Sequence, residues 1–181
     1  MGNDKKINQG NKQIMTLAEF HQLTQNQKGL LLHQCCGSGA WVNKMLQLPA
    51  QKTITDLFKD AEEKWNDCDE DDWKEAFSHH PKIGDLDSLR KKFSSDQFAG
   101  DEQSSVSSAT EQILQALAEG NKLYEQKFGY IFIVCATGKS PGEMLQILNS
   151  RLQNNPADEI KIASEEQNKI TKLRLQKLFD T

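Results

Sequence analysis

The sequence lacks every common metal-binding spacing. Cys-x-x-Cys, His-x-x-x-His and His-Glu-x-x-His are all missing, so no metal site is expected. It also lacks a glycine-rich phosphate loop. Gly37 and Gly39 stand close together, but no third glycine follows and no lysine sits where such a loop needs one, which argues against a nucleotide or other cofactor. Charge of one sign is not in excess. A net charge of −4 with 27% charged residues supplies neither the basic footprint of a nucleic-acid binder nor a long acidic tail. No apolar run approaches the ~18 residues of a membrane span. The polar opening of the chain has no apolar signal-peptide core behind it, so the reading is a soluble protein that is not exported. Cysteine is scarce, at Cys35, Cys36, Cys68 and Cys135, and the adjacent Cys35 and Cys36 make a poor structural staple, as suits a reducing compartment. The ending Phe179-Asp180-Thr181 is not a Ser-Lys-Leu peroxisomal signal, which leaves the cytoplasm as the default location.

What is present is helical periodicity. At 181 residues the chain suits one domain, with a polar tail over residues 1–15 and a folded part over 16–181. Thr16 and Glu19 have capping-box spacing and open a first helix. A second is expected from Asn26 through Leu30, Leu31 and Leu32 to Cys36, stopping at Gly37-Ser38-Gly39, and a third carries Trp41, Val42, Met45 and Leu46 up to Pro49. Ile54, Leu57, Phe58, Ala61 and Trp65 recur at three-and-four spacing. The acidic run Asp67 to Asp72 reads as a solvated turn favouring the next helix start, which carries Trp73 and Phe77. Asp85 to Phe93 predicts one or two further turns. Ser94 to Ser108 reads as a surface loop, after which Ser108 and Glu111 repeat the capping-box spacing and open a long helix ending at Gly129. Ser140-Pro141-Gly142-Glu143 gives another complete helix start. Asn155-Pro156 opens a final helix reaching Phe179, with Ile162, Ala163, Ile170, Leu173 and Leu178 towards the core. The run Tyr130 to Ala136 is strongly apolar, but no second run exists to pair with it as a strand. It must be a buried extended passage or a helix. The expectation is therefore an all-α domain of seven to nine helices without a substantial sheet.

Three features carry chemistry. In Ser78-His79-His80-Pro81-Lys82-Ile83-Gly84-Asp85, a helix should end at about His80, because the residue before a proline favours extended backbone. That fixes an imidazole, titrating near pH ~6.5, at a turn; two solvated surface histidines would read the same way. Glu111 at a helix start is either a cap of its own helix or a catalytic carboxylate. Arg174, set between Leu173 and Leu175, needs a partner for its guanidinium, in a structural ion pair or a ligand.

These pieces together resemble one family, the OHCU decarboxylases, which act on 2-oxo-4-hydroxy-4-carboxy-5-ureidoimidazoline in urate breakdown. The resemblance rests on the run 80–85 from His80 to Asp85, on Ser108-Ala109-Thr110-Glu111-Gln112, on Lys127 through Lys139, and on Glu166 through Leu175. Cys35-Cys36-Gly37-Ser38 and Trp41 add to it. It implies a cofactor-free, all-helical homodimer that forms (S)-allantoin and carbon dioxide from a small-molecule ureidoimidazoline. Residue by residue, His80 matches the catalytic histidine, followed by Pro81, and Glu111 the pocket glutamate, expected to partner His80 in managing proton transfer, with Ser108 and Gln112 as substrate contacts. Val134, Cys135, Ala136, Thr137 and Gly138 match a main-chain edge along the substrate, and Arg174 the pocket arginine. Two departures stand out: Ile113-Leu114 where many members carry a small residue, and a longer loop from Ser94 to Ser107. A non-catalytic helical binding module, or another ureide-pathway enzyme on the same scaffold, fits these residues as well.

Overall fold

A computed structural model describes residues 15–81, 86–93 and 103–179, without the side chains of 92–93 and 103–109. The described residues form nine helices and no strand, as the periodicity leads one to expect. They are α1 (Leu17–Gln22), α2 (Gln25–Cys36), α3 (Gly39–Leu46), α4 (Ile54–Asn66), α5 (Glu70–Ser78), α6 (Leu86–Phe93), α7 (Gln103–Phe128), α8 (Pro141–Arg151) and α9 (Pro156–Phe179).

Local chemistry sets most of these boundaries. Thr16 and Glu19 form the capping box of α1, and Ser140 and Glu143 that of α8, with Pro141 in the first turn. The acidic run is a helix start, since Asp69 caps α5 and Asp72 closes the box beside the positive end of the helix dipole. α2 begins earlier than Asn26, because Thr24 and Gln27 make a box of their own. α7 corrects a larger expectation. It starts at Gln103, so Ser108 and Glu111 lie inside the helix rather than at its cap, and only residues 94–102 of the expected loop are left, outside the described part of the chain. Once a turn of helix exists, adding a residue gains a hydrogen bond for each residue fixed. A capping signature inside a run of helix formers therefore need not begin the helix.

Two apolar clusters result. One gathers Phe20, Leu32, Trp41, Met45, Leu57 and Trp65 from α1 to α4. The other gathers Phe77, Leu117, Tyr124, Ile133, Met144 and Leu148 from α5, α7, α8 and the segment after α7. Each buried large side chain contributes roughly 1.5–3 kcal/mol. α9 serves both, with Leu175 and Phe179 in the first and Ile160 and Ala163 in the second. α5 is divided the same way, Ala76 facing one cluster and Phe77 the other. The buried face of α9 is Glu159, Ile160, Ala163, Ser164, Gln167, Thr171, Leu175 and Phe179. Of the stripe expected from the sequence only Ala163 belongs to it, whereas Ile162, Ile170, Leu173 and Leu178 are half-buried at its flanks. Polar side chains displace them because each has a partner. Ser164, for example, offers its carbonyl and hydroxyl oxygens to the indole N–H of Trp65, at 3.0 and 3.1 Å.

The apolar run Tyr130 to Ala136 is extended and unpaired with any strand. It enters from Gly129, whose φ of +79° suits the left-handed position after a helix end. A side-chain network anchors the segment. Arg151, buried on α8, donates to the Ile133 carbonyl at 2.6 Å and to Glu159 at 2.6 and 2.7 Å. Glu159 also accepts from Asn154 and from the hydroxyl of Tyr124. A buried ion pair is expensive to break from one side, since the orphaned charge stays in the low-dielectric interior. Glu159→Ala should thus lower the unfolding free energy by about 3–5 kcal/mol, read as a shifted midpoint in urea denaturation; an unshifted midpoint would show that the network adds nothing to stability.

Candidate active site

His80 lies just beyond α5, where His79 is the C-cap. Its backbone N–H still bonds the Phe77 carbonyl at 3.1 Å, which holds the residue against the helix end. Its ring is half-buried, and Nε2 lies 2.6 Å from Oε1 of Gln167. Gln167 is fully buried in the middle of α9. Its amide nitrogen reaches the Cys36 carbonyl at 3.3 Å and the Thr171 hydroxyl at 3.2 Å. Three elements thereby meet at one point: the end of α2, the end of α5 and the centre of α9.

Gly37 makes this meeting possible. It closes α2 with φ of +88°, a conformation that side chains disfavour. A Cβ there would stand 2.9 Å from Cβ of His79. Arg174, two turns along α9 from Gln167, donates to the Cys35 carbonyl at 3.1 Å. Its partner is therefore the negative end of the α2 dipole rather than a carboxylate, and the expected alternatives of acidic partner or ligand leave out this third one. Burial pushes the His80 imidazole below its ordinary range. The nearby Arg174 charge and His79 push the same way, against the hydrogen bond to Gln167. At neutral pH His80 is uncharged and able to accept a proton.

The extended segment joins the same turn of α9. Glu166, the neighbour of Gln167, accepts from the Cys135 N–H at 2.7 Å. Burial pushes its carboxyl up, but the bonds from Lys169 and Cys135 outweigh this and keep it below the usual carboxylate range. Lys139 donates to the Cys135 carbonyl at 2.6 Å, and its own N–H bonds the Ala136 carbonyl at 3.1 Å. Val134, Cys135 and Ala136 are half-buried, whereas Thr137 and Gly138 are exposed in a turn where Gly138 has φ of +75°. The expected main-chain edge thus reaches the turn of α9 that holds His80, with the Cys135 N–H already engaged.

Glu111 has a different partner from the one expected. It is half-exposed on α7 and forms an ion pair with Arg90 of α6, whose Nε lies 3.2 Å from Oε2. That bond and the Arg90 charge hold its carboxyl below the ordinary value. Among the described residues, the partner of His80 is Gln167 and that of Glu111 is Arg90. Gln112 is exposed on α7 and Pro81 is exposed beyond His80; the side chain of Ser108 and residues 82–85 lie outside the described part. Glu166 and Gln167 are the residues that the sequence reading missed as site groups. Their signal was there, since Gln167 lies four residues from both Ala163 and Thr171, a polar side chain on a buried helical face.

Comparison with known proteins points to one family. The OHCU decarboxylase family model matches residues 21–176. The chain is 42% identical over 147 residues to the uric acid degradation bifunctional protein TTL of Arabidopsis thaliana, covering 80% of this chain and 45% of that protein. It is 29% identical over 100 residues to the 2-oxo-4-hydroxy-4-carboxy-5-ureidoimidazoline decarboxylase of Xenopus laevis, covering 55% and 57%. The chain thus spans about half the length of each of these relatives. A crystal structure of OHCU decarboxylase in the presence of (S)-allantoin superposes with a TM-score of 0.66 at 39% identity, over 82% of this chain and 96% of that one. The match of the family model along residues 21–176, together with the 39% identical crystal structure that superposes over most of the chain, places this chain in the OHCU decarboxylase family.

Proposed function

We propose that this chain decarboxylates 2-oxo-4-hydroxy-4-carboxy-5-ureidoimidazoline to (S)-allantoin without a cofactor, as a cytoplasmic homodimer. The observation that carries the reading is the uncharged His80, whose ring meets buried Gln167 and feels the Arg174 charge, while Cys135 of the run 134–138 bonds Glu166 next to Gln167. The substrate carbon that loses carbon dioxide also bears a hydroxyl, and its neighbour is an imine carbon. As the carbon–carboxylate bond breaks, its electron pair moves towards the C=N bond. The hydroxyl proton must leave and the neighbouring carbon must gain a proton from one face. An uncharged His80 supplies the base for the first task. General acid–base help of this kind is worth about 10²- to 10⁴-fold.

Arg174 has a narrower task. Gripping the departing carboxylate would stabilise the ground state and gain nothing for the step. Its charge is better used on ring or ureido oxygens that keep or gain negative charge, and it also keeps His80 in its basic form. Glu111, held ionised by Arg90, serves as an acceptor for substrate N–H or O–H groups. The second titrating group expected beside His80 is then a fixed carboxylate.

The direct test adds the protein to freshly oxidised and hydrolysed urate and follows optically active allantoin by circular dichroism. Faster appearance of one enantiomer is expected, and a rate no greater than spontaneous decay would overturn the assignment. His80→Asn should lose nearly all activity, whereas His79→Asn, whose exposed ring packs edge-on against His33, should keep most of it; equal losses in steady-state assays would refute this division of roles. Because activity needs uncharged His80 and its pKa is lowered, kcat/KM should stay level down through pH ~6.5 and fall only below it. An acid limb above the ordinary histidine value in the pH–rate profile would contradict a buried base beside Arg174.

A further inference from the structure

The contact between His80 and Gln167 also decides which nitrogen of the imidazole is the base. The Cys36 carbonyl can only accept a hydrogen bond. The Gln167 atom 3.3 Å from it must therefore be the amide nitrogen, and the same nitrogen reaches Thr171. The amide oxygen then faces His80 Nε2 at 2.6 Å. Being an acceptor, it requires Nε2 to carry the proton. Flipping the amide would set two acceptors against each other at the Cys36 carbonyl. Gln167 is fully buried, so water does not offer it an alternative.

We infer that Gln167 is a positioning residue of the decarboxylase: it fixes His80 as the Nε2–H tautomer and leaves Nδ1 as the proton-accepting nitrogen. The inference rests on the reading of His80 as the base. The carbonyl at the end of α2 sets the amide, the amide sets the tautomer, and the tautomer sets which lone pair is available. When Nδ1 takes the hydroxyl proton, the imidazolium that forms keeps its bond to Gln167, since Nε2–H donates in both states. The other charged or titratable groups that act on the ring are Arg174 and His79. Arg174 has no acceptor that could compete for the Nε2 proton, and the His79 ring packs against His33.

The test uses ¹⁵N-labelled full-length protein and long-range ¹H–¹⁵N spectra of the histidine rings, with His80 assigned from the signals that disappear in His80→Asn. At neutral pH the wild-type ring should show a protonated Nε2 and a bare Nδ1. Gln167→Met, close in size but without an acceptor at that point, should give mixed tautomers. Its kcat should fall about 10- to 100-fold with KM changed by no more than about twofold. Gln167→Glu should keep the Nε2–H tautomer while its carboxylate favours the imidazolium, moving the acid limb of the pH–rate profile upwards. A residue that merely ties α9 to α2 would move neither the tautomer nor the limb. A wild-type ring protonated on Nδ1 would overturn the inference, as would a folded Gln167→Met with unaltered tautomer and kcat. Should Gln167→Met fail to fold, the wild-type spectrum and Gln167→Glu still decide. Absence of decarboxylase activity in the wild type would overturn the function and leave the tautomer to be judged by the spectrum alone.

Discussion

A polar group taken out of water must find a partner or destabilise the fold by roughly 1–3 kcal/mol, and α9 buries four such residues on the face it turns inward. Thr171 accepts from Gln167 within the helix, and Glu159, Ser164 and Gln167 are obligations that the rest of the chain meets. Arg151, Tyr124 and Asn154 answer Glu159, and the indole of Trp65 answers Ser164. The end of α2 and His80 answer Gln167. Each answer fastens a different helix to α9. The apolar clusters supply the bulk of the stabilisation on either side, but it is the polar seam that says where α2, α4, α5 and α8 must sit.

The site occupies the gap between those clusters, which accounts for its character. Ala76 and Phe77 face opposite cores, so α5 runs along the boundary and delivers His80, just beyond its end, there. Half-burial of His80 follows from this position. The ring is sufficiently desolvated to stay uncharged at neutral pH and sufficiently open to meet a ligand. The unpaired apolar segment solves a related difficulty. An extended stretch in a helical protein exposes backbone groups that no neighbouring strand satisfies, and here Arg151, Glu166 and Lys139 take over that function. Two of the three lie within reach of the proposed substrate edge, so the device that stabilises the segment also charges its surroundings.

Local features were legible in the sequence because their physics is local. The boxes at Thr16 and Ser140, the acidic start of α5, and the break at Pro81 each depend on residues within one turn of each other. The same locality explains the errors. Ser108 and Glu111 have the spacing of a cap, yet the helix passes through them from Gln103, since nothing in four residues tells whether an earlier turn is already in place. The inward face of α9 was assigned to Ile162, Ile170, Leu173 and Leu178 on hydrophobicity, whereas Gln167 and Thr171 lie deeper. Their partners are Cys36 and His80, more than eighty residues away in the chain. Arg90 opposite Glu111 and the Cys35 carbonyl opposite Arg174 were hidden for the same reason. Periodicity reports that a face is buried, but only the folded chain shows which polar groups have been matched across it.

The polar seam also gives α9 a property that a greasy helix would lack. A face of leucines tolerates sliding and rolling, because the dispersion attraction given up against one neighbour is recovered against the next. Moving α9 by one residue would advance it about 1.5 Å and roll it by about 100°, detaching Glu159, Ser164 and Gln167 from their partners at once. The helix behaves as a key with three cuts. It enters its lock in one register only, and that register carries Glu166 to Cys135 and Gln167 to His80 in a single movement.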